Sequence, residues 1–240
     1  MEDNLTILYE DNHLIVVVKP QNMPTQADSS GDRDLLTAVR EYIREKYAKP
    51  GNVFVGLVHR LDRPTGGVMV FAKTSKAAAR LAEQMKEGAF EKKYLAVTVG
   101  VPRDRAGRLE NWLVKDAATN TVRIAPAKIN ADARMAVLDY KVLESNPPVC
   151  LVDVRLLTGR SHQARVQLAG LGTPIFGDVR YGGAIAKGHN LALWAYELRF
   201  KHPTTEKAMV FKVFPPTDKE PWKRFPIDKY INVSRPESRY

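Results

Sequence analysis

A single carboxylate set among cations is the feature of this 240-residue chain best suited to chemistry. Asp62 lies in Val58-His59-Arg60-Leu61-Asp62-Arg63-Pro64-Thr65-Gly66-Gly67, immediately ahead of the apolar run Val68 to Phe71. A carboxylate so placed can attack an electrophilic carbon or stabilise a developing cation. Pro64 stiffens the backbone beside it, and the glycine pair permits conformations or close approaches that a Cβ would block. The same residues also describe a surface turn in which Asp62 is only ion-paired with Arg60 or Arg63. A second candidate is Tyr94, within Glu91 to Gly100. There Leu95, Val97 and Val99 share one strand face, and Tyr94, Ala96 and Thr98 share the other. A tyrosine off the main apolar face can meet a ligand, or its ring can cover a sheet edge. The third candidate is the run Thr158-Gly159-Arg160-Ser161-His162-Gln163-Ala164-Arg165, where Arg165 is either a solvated helix arginine or part of a site.

These residues need elements to hold them. Ile7 to Pro20 reads as two strands joined at the polar Glu10-Asp11-Asn12 turn, with Pro20 ending the second. Asp34 can cap a helix through Lys46 whose Leu36, Val39, Tyr42 and Ile43 form an apolar stripe. Val53 to Val58 is expected as a strand leading into the Asp62 loop. Val68 to Phe71 is expected as a buried strand, and Thr74-Ser75 as the cap of a helix carrying Ala77, Leu81 and Met85 and stopping at Gly88. Val101 to Asn130 reads as a polar, turn-rich insertion whose Arg103, Arg105, Arg108 and Lys115 can contact phosphate or simply be solvated, solvation being the favoured reading for any one of them. Val149 to Leu157 is a strand, and Thr158-Gly159 turns it into a short helix running from Arg160 through Leu168. Leu193 to Phe200 and Ala208 to Phe214 form a hairpin across His202-Pro203-Thr204-Thr205-Glu206. Its Trp194, Tyr196, Leu198 and Phe200 share a core-facing side, and Trp222 and Phe225 of the tail pack against the body.

The composition limits the partners. Lys and Arg exceed Asp and Glu by ten, and the isoelectric point near 9.6 makes a polyanion the leading partner class, because neutralising phosphates releases counterions. Charge alone does not separate RNA from DNA or an acidic membrane. Hydrophobic content of 44% and charged content of 27% are those of an ordinary globular protein. No apolar run approaches the roughly 20 residues that span a bilayer, and Met1-Glu2-Asp3-Asn4 lacks the features of a signal peptide. The expectation is therefore a soluble, cytoplasmic protein. Cys150, the only cysteine, sits in an apolar strand and reads as packing. The five histidines, His13, His59, His162, His189 and His202, lack zinc-type spacing, so no metal is expected.

Taken together, three motifs resemble those of the RluA-type family of RNA pseudouridine synthases. His59-Arg60-Leu61-Asp62 with Arg63-Pro64-Thr65-Gly66-Gly67 and Phe71-Ala72-Lys73-Thr74 resembles the family's active-site signature, and Lys92-Lys93-Tyr94-Leu95-Ala96-Val97 its second motif. Leu157 to Arg165, with Gly172 to Asp178 and Tyr181-Gly182 behind it, resembles the third. The resemblance covers about Ile7 to Pro215 and implies Asp62 as the catalytic aspartate, Arg165 as the residue that pairs with it, and Tyr94 against the target base. It also places Arg60 at the flipped-out state with His59 beside it, and Arg160 and His162 on RNA. An arginine within about 4 to 6 Å would oppose the rise in carboxylate pKa that enclosure beneath a base brings. A role for Tyr94 in removing the C5 proton is also implied, although a phenol of pKa about 10 is a poor base unless perturbed.

The implied fold is mixed α/β of the α+β kind, a largely antiparallel bent sheet with flanking helices and a central catalytic cleft. Residues 1–240 are expected to form a single catalytic domain without a separate N-terminal RNA-binding domain. The implied protein is a monomer acting on ribosomal or transfer RNA without a cofactor, an obligatory protein partner or a membrane. Gly66 stands where a serine is common, Ala164 replaces a branched aliphatic residue, and Gln167 stands where histidine is frequent. Two contrasting readings accompany this one. A noncatalytic RNA-binding module fits the charge, but Asp62 would be an unhelpful anion in it. A carboxylate glycosidase needs a second acid, and only Asp178 lies near a motif, where it reads as structural.

Overall fold

The computed structural model describes residues 5–48, 50–128, 131–182 and 187–232. In chain order these form β1 (Ile7–Glu10), β2 (Leu14–Lys19), α1 (Leu35–Lys46), β3 (Gly56–Leu57), β4 (Gly66–Ala72), α2 (Ser75–Lys86), β5 (Glu91–Val99), β6 (Ala106–Asp116), β7 (Thr121–Ala125), β8 (Arg134–Asn146), β9 (Val149–Leu156), α3 (Gln163–Gly170), β10 (Leu193–Lys201) and β11 (Ala208–Lys212). This is the expected α+β class, with helices set against largely antiparallel strands. The chain divides into two compact units. One holds the residues up to Glu91 with Tyr196–Val213, and the other Lys92–Ala195 with Phe214–Asn232.

In the first unit the strands run β1-β2-β4-β10, with β3 also on β4 and β11 on β10. β4 is buried along its whole length and pairs antiparallel with β2 from Leu14↔Ala72 to Lys19↔Gly67. Gly67 has φ +126°, a conformation that L side chains rarely adopt, where the chain leaves the Asp62 loop. Both helices begin at the expected caps: Asp34 accepts from the Thr37 amide and Thr74 from the Ala77 amide. The buried side of α1 is Leu35, Ala38, Val39 and Ile43, so the stripe is rotated from the expected one and Leu36 and Tyr42 are only half-buried. The expected Val53–Val58 strand shrinks to two residues. β3 pairs Gly56↔Ala72 and Leu57↔Phe71, and a third pair would take the Val70 amide. The His59 imidazole takes it instead, through Nε2 at 3.2 Å. A side chain thereby ends the ladder and releases the chain into the loop.

Glu10 ties β1 to α1 and β4. Its carboxylate is 8% exposed and lies 2.7 Å from both Lys46 and Lys73, and it also accepts from the Tyr42 and Tyr47 hydroxyls. Burial alone would raise its pKa, but these donors outweigh burial and bring it down to about 2. Because the folded pKa lies below the ordinary carboxylate value, the stabilisation is present above about pH 4.5 and is lost as pH falls toward 2. It amounts to about 3 kcal/mol. Acid melts of Glu10→Gln should lack that part of the wild-type decline between pH 5 and 2, and an unchanged acid profile would dismiss the network's role.

In the second unit the strands run β5-β9-β8-β6-β7, with antiparallel ladders throughout. Two features depart from the sequence expectations. The supposed insertion Val101–Asn130 contains the hairpin β6–β7, and β8 occupies a stretch for which the sequence reading offers no element (residues 129–130 lie outside the described set). These strands bury one face only, so their alternation is diluted by charge. Arg108, for example, is exposed and paired with Asp139 at 2.7 Å rather than merely solvated. The inward residues Leu113, Val122 and Ala136 form a cluster with Val166 of α3. β5 behaves oppositely. Tyr94, Ala96 and Thr98 are as buried as Leu95 and Val97, so the strand has two buried faces, not one. The β10–β11 hairpin and the buried Trp222 and Phe225 follow the sequence expectation.

Candidate active site

Asp62 is half-buried in a loop that hydrogen bonds hold from several sides. Its carbonyl accepts from the Thr65 amide at 2.9 Å. Thr25 brackets the preceding residue, donating from Oγ1 to the Leu61 carbonyl at 2.8 Å and accepting from the Leu61 amide at 3.3 Å. Gln21 donates to the Pro64 carbonyl at 3.2 Å. Beneath the loop lies Lys19, wholly buried at the end of β2. Its ammonium donates to the carbonyls of Pro20 (2.9 Å), Met23 (2.6 Å) and Arg63 (3.0 Å). Burial pushes the Lys19 pKa down to about 7, the charge of Asp62 opposes that fall, and Arg63 adds to it. Lys19 thereby anchors three carbonyls under the nucleophile candidate. Lys19→Met would orphan all three, and a loss of about 3 kcal/mol in a chemical-denaturation curve is the expected result.

The neighbours of Asp62 differ in kind. Arg60 is exposed. Arg63 donates to Ser30 Oγ at 2.9 Å and is ion-paired with Asp32 and, at 3.8 Å, with Asp28. His59 is 7% exposed and lies edge-on to Phe90 at 5.4 Å. Its buried position and its bond to Val70 make it a brace of the loop.

The remaining predicted residues lie in the second unit. Tyr94 is buried in β5 opposite Val154 of β9. The turn from β9 into α3 is built around Gln163, whose Oε1 accepts from Thr158 Oγ1 (2.7 Å) and the Arg160 amide (3.0 Å) while its Nε2 donates to the Val137 carbonyl (3.0 Å). These bonds explain why the helix begins at Gln163 rather than Arg160. His162 stands at the N-cap with φ +52°. Arg160 is exposed and donates from Nε to the Met135 carbonyl at 3.0 Å.

Arg165 is 6% exposed and makes a two-pronged contact with Asp178, Nε to Oδ2 and Nη2 to Oδ1, both 2.8 Å. Asp178 also accepts from the Arg180 and Tyr181 amides. Burial works against its carboxylate, yet the Arg165 fork and these amides hold its pKa below the ordinary value. Gly177 makes this turn possible: its φ is +77°, and a Cβ there would lie 2.3 Å from the Asn190 carbonyl. The ring of Tyr181 lies 5.1 Å from the Arg165 guanidinium. Its hydroxyl accepts from the Val122 amide of β7 at 2.9 Å and lies 2.6 Å from His162 Nδ1. Asp178 and Tyr181 stand in the third motif, but their grip on Arg165 was not foreseen; the clue was a carboxylate next to a glycine behind a buried cation. A guanidinium has five N–H donors, so engagement by Asp178 is compatible with a further anionic partner. Gln167 is buried and donates to the Leu109 and Ala136 carbonyls and to Asn111 Oδ1, which gives this departure from the family pattern a packing role.

Among the described residues, no group of three or more His, Cys, Asp or Glu side chains could hold a metal, and no helix is long and apolar enough to cross a membrane. The chain matches the family model for RNA pseudouridylate synthase over residues 13–170. It is 34% identical over 217 residues to an RNA pseudouridine synthase of Bacillus subtilis described as uncharacterised, covering 89% of this chain and 70% of that one. Ribosomal large subunit pseudouridine synthase C of Vibrio vulnificus is 33% identical, over 85% of this chain and 63% of its own length. The solved structure of human RNA Pseudouridylate Synthase Domain Containing 4 superposes with a TM-score of 0.74 at 26% identity, covering 88% of each chain.

Proposed function

This chain belongs to the RNA pseudouridylate synthase family, as an RNA pseudouridine synthase of the RluA type, and from that membership we propose how its residues perform the isomerisation. Uridine becomes pseudouridine when the C1′–N1 bond breaks, the retained uracil turns, and C1′ joins C5 with loss of the C5 proton. The balance needs no oxidant, reductant or added energy. Asp62 is the carboxylate that meets C1′, and Tyr94 and Arg165 serve the same uridine, Tyr94 by packing on the base and Arg165 by opposing the cost of enclosing the carboxylate. Extruding the base costs a few kcal/mol, which Arg60 offsets from the loop that His59 braces. Arg160 and His162 bind the RNA strand. The observation that carries this reading is the Asp62 loop itself, where a half-buried carboxylate is held over a fully buried lysine.

The substrate is ribosomal RNA, since two similar relatives are named for the large ribosomal subunit; transfer RNA is the other candidate. The two units act together as one catalytic domain, in keeping with a family match that runs through both. The protein works as a cytoplasmic monomer with no cofactor. The test is tritium release from RNA labelled at C5 of uridine, taken from cells lacking this protein, with nothing else added. Release establishes the activity. Binding without release would favour a noncatalytic RNA-binding protein.

A further inference from the structure

Lys92 opens the described part of the second unit on β5, opposite Leu156 of β9. Side chains alternate along a strand, so Lys92 shares its face with Tyr94, about 7 Å away along the strand. Its ammonium reaches the turn after β9: a Cβ built on Gly159 would lie 3.3 Å from Lys92 Nζ. A glycine therefore leaves room for the lysine head within the stretch that carries Arg160 and His162. The other lysines drawn into the fold are saturated, Lys19 by three carbonyls and Lys73 by Glu10. Lys92 is not: among the described residues its ammonium has no hydrogen-bond or ion-pair partner. Burial pushes its pKa down, and no carboxylate opposes the shift.

A cation partly withdrawn from water without a partner is costly, and a ligand anion would offset the cost. We propose that Lys92 is a phosphate-binding residue, gripping one backbone phosphate of the bound RNA next to the uridine on Tyr94. The lysine head suits this task as a compact charge with three donors that needs no planar fork. The assignment rests on the reading of the protein as an RNA pseudouridine synthase.

The experiment is filter binding of an in vitro transcript of large-subunit ribosomal RNA across a potassium chloride series, for wild type, Lys92→Met, Lys92→Gln and Lys92→Arg. Losing one phosphate contact should make the slope of log affinity against log salt shallower by about 0.7 to 0.9 in the Met and Gln variants. The Arg variant should keep the wild-type slope. Circular dichroism melts identify any variant that fails to fold, and the two neutral variants back each other. A wild-type slope in a folded neutral variant overturns the assignment, even if turnover is lost. Wild-type protein that neither binds the transcript in a salt-dependent way nor releases tritium rejects the RNA reading instead.

Discussion

Asp62→Asn is expected to lower tritium release by roughly 10³-fold or more while leaving RNA affinity unchanged or improved. The amide keeps the shape of the side chain but cannot attack C1′ or balance a ribosyl cation. The loop should stay in place, because the supports that hold it are made by other groups: Lys19 on three carbonyls, Thr25 on Leu61 and Gln21 on Pro64. Affinity rises, if it changes, because an anion has left a surface that meets phosphates. Single-turnover rates measured beside a melting curve check this. A variant as active as wild type removes Asp62 from the chemistry, and activity lost only in step with unfolding makes it a structural residue.

The second large effect is expected at Asp178, which touches no reacting atom in our reading and acts by positioning Arg165. Asp178→Ala strips the fork from a guanidinium that is 6% exposed and releases the Arg180 and Tyr181 amides. Breaking a buried pair by removing one partner costs about 3 to 5 kcal/mol, because the surviving charge stays buried. Asp178→Asn keeps the shape and the amide bonds and should cost less. It should still slow the single-turnover step while RNA affinity holds, since the guanidinium is no longer aimed by charge. Affinity and rate falling together would instead mark a purely structural role. The same pair complicates any test of Arg165 itself: Arg165→Met leaves the Asp178 carboxylate buried without its cation, so its activity must be read below the variant's own melting transition.

What could be read from the sequence follows from how local each signal is. The caps at Asp34 and Thr74 need only a side chain and an amide three residues on, and both are found as expected. β2 and β4 are apolar enough to announce themselves. β6 and β8 are not, since half of each strand is polar and only one face of each is buried. For the candidate site, the residue types and motifs were legible but the supports were not. His59 ending β3, Gln163 building the turn before α3, and Asp178 holding Arg165 are tertiary facts that no spacing rule encodes. Tyr94 was read as lying off the apolar face because alternation shows which residues share a face and not whether the opposite face is also covered.

The β6–β7 hairpin is held close to its turn, and the turn itself is exposed. Tyr181 holds it through the Val122 amide and Arg180 through the Asn120 carbonyl, whereas Ala117, Ala118 and Thr119 at its tip are exposed. Extra residues grafted among those three would extend the hairpin outward without disturbing the bonds that reach the surroundings of Arg165. The tip is therefore the natural place to append an RNA-targeting peptide and redirect the enzyme to a transcript of choice, with its reaction chemistry left as it is.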